Sequence, residues 1–156
     1  MISDKNFMDN NVTIVDATLD KLEEIIQIEE ECFTVPWSRS NFESAFDADN
    51  TRIFALISQD GTMCGFACLL IIDYEAEILN IAVRQNHRNK GYGKLLMKHM
   101  LDLCDSSSIS SVYLEVRESN LSARRLYTQN GFEIIGLRKR YYTSPVEDAI
   151  LMLKKI

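Results

Sequence analysis

A chain of 156 residues, 46% hydrophobic and 26% charged, has the length of one globular domain. At that size roughly 68–70% of the unfolded chain's surface is buried on folding, so a core forms without disulfide or metal staples. The net charge of −6 excludes a protein that holds nucleic acid through bulk electrostatics. The longest apolar run, residues 66–72, is too short for a membrane span or a secretory segment, so a cytoplasmic protein with no membrane partner is expected. Cys32, Cys64, Cys68 and Cys104 contain no C-x-x-C pair and the chain has two histidines. Neither zinc spacing nor a redox dithiol is present, and free buried thiols with no metal site are expected. Charge is unevenly spread: residues 1–50 sum to −9 and the other 106 to +3.

Residues 1–10 are polar and mixed in charge, as in a flexible tail. A short strand is expected at 12–15, followed by a helix capped by Thr18 whose Leu22, Ile25, Ile26 and Cys32 follow helical spacing up to Pro36. A second helix places Phe42 and Phe46 on one face. Its start is marked by the S-x-x-E box Ser40 to Glu43, with Ser38 an equally acceptable cap. Residues 51–58 and 63–73 are apolar and β-prone around a Gln59-Asp60-Gly61-Thr62 turn, and a third strand near 76–83 extends the meander. A helix at 91–105, a strand at 112–116, a helix at 120–130 and strands near 132–141 and 149–153 complete an α+β plan. It comprises a mixed central sheet of about seven strands flanked by about four helices.

The densest chemistry lies where the strand ending at Val83 meets the helix that follows. Arg84, Arg88, Lys90, Lys94 and Lys98 crowd this stretch with no acid among them. Gly91 and Gly93 allow main-chain N–H groups to turn toward a ligand, and the helix N-terminus adds a positive dipole end suited to a pyrophosphate. The order R-x-x-G-x-G fits neither the dinucleotide fingerprint nor a Walker loop, and a plain turn with a solvated basic helix face is the alternative. His87 beside the loop reads as surface, His99 lies within the helix, and neither receives a role.

Arg88-Asn89-Lys90-Gly91-Tyr92-Gly93, preceded by Leu79-Asn80-Ile81-Ala82-Val83, resembles the acetyl-CoA loop of the GNAT N-acetyltransferases. The likeness continues through Leu114-Glu115-Val116-Arg117, Asn120, Leu126-Tyr127 and Gly131-Phe132. Pro36-Trp37-Ser38, Tyr141-Tyr142 and Glu147-Asp148-Ala149 resemble the group that acetylates the N-terminal alanine of a small-subunit ribosomal protein. The resemblance implies a single GNAT domain over residues 1–156, acetyl-CoA as co-substrate and a protein N-terminus as partner. It implies that main-chain groups of Arg88, Asn89, Lys90, Gly91, Tyr92, Gly93 and Lys94 hold the pyrophosphate. Ile81, Ala82 and Val83 would face the pantetheine arm, and Asn120 would contact the cofactor. Glu115 stands in an otherwise apolar strand, where a carboxylate needs a reason; alternation that turns it outward is one, and the family's general base is the other. Tyr127 shares a helix face with Ala123 and Asn120, and the resemblance makes it the acid that protonates the departing thiolate; a core aromatic is the alternative.

Trp37, Tyr141, Tyr142, Glu147 and Asp148 are substrate-wall candidates by the same resemblance. The run Glu29-Glu30-Glu31 would attract a basic tail if it faces solvent. An α-amine, with pKa near 7.7–8.0 against 10.4 for lysine, is partly the free nucleophile at neutral pH, so a modest base suffices. Lysine or small-amine acetylation, and a non-catalytic acyl-CoA-binding module, are the competing readings. Arg124, Arg125 and the run Arg138-Lys139-Arg140 depart from the family pattern and bear on the substrate more than on the reaction.

Overall fold

The computed structural model describes residues 11–156, and the expected N-terminal tail lies outside the described residues. The elements are β1 (Val12–Asp16), α1 (Leu22–Cys32), α2 (Arg39–Asp47), β2 (Thr51–Ser58), β3 (Met63–Ile72) and β4 (Glu75–Val83). After them come α3 (Tyr92–Ser106), β5 (Ser111–Arg117), α4 (Leu121–Gln129), β6 (Glu133–Tyr142) and β7 (Glu147–Lys155). The seven strands form one sheet in the order β1-β2-β3-β4-β5-β7-β6. β4 and β5 run parallel and every other neighbouring pair is antiparallel. The expected α+β plan, a mixed seven-stranded sheet with four helices, is what the described residues form.

Each face of the sheet carries its own helices. On one side Leu96, Met97 and Met100 of α3 and Tyr127 of α4 pack on Phe54, Leu69, Ile78, Val112, Leu114 and Met152. On the other, Ile25 and Ile28 of α1 and Phe42 of α2 pack on Ile53, Phe66, Cys68 and Ala82. β3 is therefore buried on both faces along Met63 to Leu69, which explains its unbroken apolar run in place of alternation. Truncating a fully buried side chain such as Phe66 to alanine costs about 3–5 kcal/mol in such a core. β6 is one of the two edge strands and is mostly exposed, and its charges Arg138, Lys139 and Arg140 discourage edge pairing.

Four local expectations are corrected. The chain enters α1 through a 3₁₀ turn, Leu19–Lys21, and Thr18 makes no side-chain cap; its hydroxyl bonds Asp20 instead. The capping box of α2 is Ser38 with Asn41, not Ser40 with Glu43: Asn41 N–H donates to Ser38 Oγ and Ser38 N–H to Asn41 Oδ1. Glu29 is 2% exposed rather than part of an acidic outer face, and Glu31 is taken up by Arg84 at 3.5 Å and the Gln85 N–H at 2.9 Å. His87 is half-buried against the Tyr92 ring, with its Nδ1 buried and without a hydrogen bond. The cysteines are free, three buried and Cys32 partly so, and burial pushes the Cys68 thiol up to about 12.

Candidate active site

The loop between β4 and α3 is a cradle made by backbone conformation. Asn89 and Gly91 both adopt positive φ, 61° and 79°, and α3 starts at Tyr92 with no side-chain cap. An uncapped helix N-terminus leaves main-chain N–H groups aimed outward, with the positive end of the dipole behind them. At Gly91 nothing lies within 4 Å of the place a Cβ would occupy, so the concavity is open, whereas a Cβ at Gly93 would touch the Leu126 side chain at 3.5 Å. These features fit a pyrophosphate.

The basic residues divide into two roles. Arg88 folds back on the protein, its Nε donating to the Val83 carbonyl at 3.2 Å and a terminal nitrogen reaching Cys32 Sγ at 3.5 Å. Arg84 donates to the Met63 carbonyl at 2.9 Å. Both bond back to the protein, Arg84 half-buried and Arg88 exposed, while Lys90 and Lys94 are exposed on the loop.

Two irregularities open the sheet next to this cradle. Cys68 pairs with Asn80 but Leu69 with Ile78, so Leu79 is an extra residue in β4, a β-bulge. The bulge inverts the alternation: Ala76 and Ile78 face α3, whereas Ala82 joins the core under α1 and α2. β4 and β5 pair only from Glu75 with Ser111 to Ile78 with Leu114. Beyond that point the strands part, and the half of β4 carrying Ile81, Ala82 and Val83 presents a backbone edge unpaired by β5. The Val83 carbonyl is already used by Arg88 and the Cys32 thiol. Gly65 permits this course of β4, because a Cβ there would stand 2.5 Å from the Ala82 carbonyl oxygen.

Glu115 is the first β5 residue past the last β4–β5 pair. Leu114 and Val116 on either side belong to the α3 core, so Glu115 points to the opposite face, its side chain 21% exposed. There it lines a cavity of about 410 Å³ with Glu77, Arg138, Ile135 and Leu151 among its walls. Arg138 Nε lies 3.5 Å from the Glu115 carboxylate, and the Arg138 guanidinium also covers the Tyr141 ring at 5.4 Å. The charge of Glu115, then burial, then a hydrogen bond to Glu115 hold the Tyr141 phenol above its ordinary range.

Tyr142 meets Tyr141 edge-on at 5.1 Å and lies under the Arg117 guanidinium at 4.4 Å. Burial, followed by the charge of Glu115, pushes its phenol up to about 12.

Tyr127 stands on the α3 side, 6% exposed and packed edge-on against Phe132. Burial pushes its phenol well up, with a smaller contribution from Tyr142, so the hydroxyl keeps its proton. Asn120 caps α4, its Oδ1 accepting the Ala123 N–H at 3.2 Å. Its side-chain amide NH₂ has no partner among the described residues.

The remaining candidates are held by the protein itself. Glu147 accepts the Ser119 N–H and pairs with Arg117 at 3.3 Å, and Asp148 accepts the Arg140 N–H at 2.8 Å. Together they brace the β6–β7 hairpin that carries both tyrosines. Trp37 lies between α1 and α2, its ring tilted against Phe42 at 5.2 Å, with its main-chain N–H donating to Glu29. Reading the sequence passes over three participants: Glu77, Asn80 and the buried role of Glu29. The alternation Glu75-Ala76-Glu77-Ile78 is the one trace of Glu77, since it sets the two acids on a common face.

The acetyltransferase (GNAT) family matches residues 22–132. The ribosomal protein bS18-alanine N-acetyltransferase of Escherichia coli is 34% identical over 127 residues, covering 80% of this chain and 84% of that protein. The crystal structure of the ribosomal-protein-S18-alanine N-acetyltransferase from Escherichia coli superposes with a TM-score of 0.87 at 33% identity, over 93% of this chain and 94% of that one. Ard1 from Thermoplasma volcanium gives 0.86 at 27% identity, over 94% and 98%. The parted strands, the uncapped helix and this breadth of likeness agree, and the chain belongs to the GNAT family of acetyltransferases.

Proposed function

We propose that the chain, acting in the cytoplasm as one acetyltransferase domain, transfers the acetyl group of acetyl-CoA to a protein N-terminal α-amine. The substrate is the N-terminal alanine of a small-subunit ribosomal protein. The observation that supports this reading is that Glu115 lies just past the last β4–β5 pair and lines the cavity on the face opposite the core in which Tyr127 is buried. In this reading Glu115 supplies the base from the open face and Tyr127 the proton donor from the core side.

Acetyl-CoA supplies an activated thioester. The main-chain N–H groups of residues 88–94 would hold its pyrophosphate, the edge of Ile81, Ala82 and Val83 its arm, and the Asn120 amide a further polar group. On the open face, Glu115 takes the proton from the substrate ammonium, directly or through water. Tyr127 keeps a proton on Oη for the leaving sulfur, consistent with a phenol raised by burial. Tyr141, Tyr142 and Trp37 wall the entrance, and Glu147 and Asp148 act by fixing the hairpin. A fixed base and a retained proton donor favour catalysis over a module that only senses acyl-CoA.

The test is coenzyme A release from acetyl-CoA by the purified chain with an alanine-first basic peptide, the same peptide with a blocked N-terminus, and spermidine. Turnover on the free peptide alone, with mass spectrometry locating the acetyl group on the α-amine, is the expected result. Acetylation of the blocked peptide or preferential use of spermidine overturns the reading.

A further inference from the structure

The α1/α2 side of the sheet is only partly covered. Its helices pack on β2, β3 and the far half of β4, and the core they form contains no residue of β5, β6 or β7. The cavity of about 410 Å³ occupies the bare remainder, with Leu70, Ile135 and Leu151 as apolar walls and Glu75, Glu77 and Glu115 as acids.

Two of these acids have partners. Glu75 accepts the Tyr113 hydroxyl at 3.3 Å, and Glu115 has Arg138 at 3.5 Å. Among the described residues no side-chain hydrogen bond or ion pair within 4 Å engages Glu77, although it is half-buried. Burial first, and the facing charge of Glu115 second, raise the Glu77 carboxyl above the ordinary range, while Arg138 opposes them. A positive group brought beside Glu77 would relieve that repulsion.

Position identifies which group. Glu77 is paired in register with Tyr113, two residues before Glu115 on β5. Strand spacing of roughly 4.8 Å and a rise of roughly 3.3 Å per residue set the two acids' Cα atoms about 8 Å apart. An extended peptide covers that distance in two to three residues. A chain whose amine lies at Glu115 and that runs along this cavity passes Glu77 with one of its next residues.

We propose that Glu77 is a specificity-determining residue, receiving a cationic side chain in the second to fourth position of the acetylated N-terminus. This rests on the N-terminal acetyltransferase reading above and deepens it: the substrate class becomes alanine-first tails with an early arginine or lysine.

The experiment uses the full chain, acetyl-CoA and alanine-first peptides in which a single arginine occupies position two, three or four, against a peptide with glutamine there. The ratio of kcat/KM for the best arginine peptide to that for the glutamine peptide is expected to be about tenfold at low salt, carried mainly by KM. It should shrink as salt is added. Glu77→Gln brings the ratio toward one, and Glu77→Lys below one. A ratio near one in the unmodified chain, or one unmoved by either substitution while peptides are still acetylated, overturns the role of Glu77 and leaves the proposed function standing. Absence of acetylation on every peptide overturns the proposed function and this inference together.

Discussion

The side-chain amide of Asn80 donates to both carboxylate oxygens of Glu29 at 3.1 Å, in a contact where both residues are buried. The same carboxylate accepts the Trp37 N–H at 3.1 Å. One acid of α1 thus ties the segment after α1 to β4 just beyond its bulge, at the place where β4 turns away from β5. The arrangement leaves Asn80 Oδ1 buried without a donor.

Glu29→Gln is expected to keep most of this tie without burying a charge. The glutamine oxygen still accepts from the main-chain N–H of Trp37 and from the Asn80 amide. Burial, outweighing the hydrogen bonds from Trp37 and Asn80, holds the Glu29 carboxyl above its ordinary value. The native state therefore binds this proton more tightly than the unfolded state, and stability falls as pH rises through the raised value. At pH 7 Glu29→Gln should melt above the unmodified chain, and the gap should close as pH is lowered toward 4. Glu29→Leu, which strands the Trp37 N–H, should lose about 1–3 kcal/mol at pH 7. Thermal melts of the three chains across pH check both signs.

Gly65 lies opposite Val83 in the β3–β4 ladder and has no room for a side chain. Gly65→Ala must push the Ala82 carbonyl away, because that oxygen is backbone and cannot swing aside. The edge of β4 assigned to acetyl-CoA then shifts by several tenths of an ångström. The expected result is a rise of about tenfold in KM for acetyl-CoA, with a smaller change in KM for peptide. Initial-rate kinetics with each substrate varied separates the two.

The cradle was legible in the sequence because its determinants are local: glycine spacing, a basic stretch without acids, and a strand running directly into a helix. β2 was legible to its exact ends because a polar turn and a loop bound an apolar run. The Glu29-Glu30-Glu31 run misled because three consecutive acids look solvated, while a helix turns about 100° per residue and delivers one of them inward to Asn80. Ser38 and Ser40 were indistinguishable by pattern, and an asparagine completed the box that glutamate usually fills. The open face around Glu115 and Glu77 was out of reach. It depends on which strands α1 and α2 leave bare, and that follows from sheet order rather than from any stretch of residues.

Gly91 tests the cradle itself. A side chain there meets empty space, yet φ of 79° is the left-handed region, costing roughly 1–2 kcal/mol for an L-residue. Gly91→Val should lower the melting temperature modestly and raise KM for acetyl-CoA by more than about tenfold, because its side chain enters the concavity proposed for phosphate. Isothermal titration with coenzyme A reads the binding loss directly, and a loss of stability without a loss of coenzyme A affinity would place the phosphates elsewhere.

Glu115 and Tyr127 make separable contributions if they serve the two faces of one gap. Glu115→Gln keeps the shape and an acceptor for Tyr141 but removes the base, and kcat/KM for an alanine-first peptide should fall about 10²- to 10⁴-fold at pH 7. An α-amine titrates near 7.7–8.0, so without the base the rate depends on amine that is already free. The residual activity of Glu115→Gln should therefore climb nearly tenfold per pH unit below 7.5 and level off above about 8.5. Tyr127→Phe retains the ring packing on Phe132 and loses only the hydroxyl, so the melting temperature should hold while kcat drops about 10- to 100-fold with KM little changed. Because burial raises the Tyr127 phenol, the unmodified enzyme should show no alkaline loss of kcat from this residue between pH 8 and 10. Loss in Glu115→Gln that no rise in pH relieves would remove it as the base. An unchanged kcat in Tyr127→Phe would return Tyr127 to the core, as one more aromatic under α3.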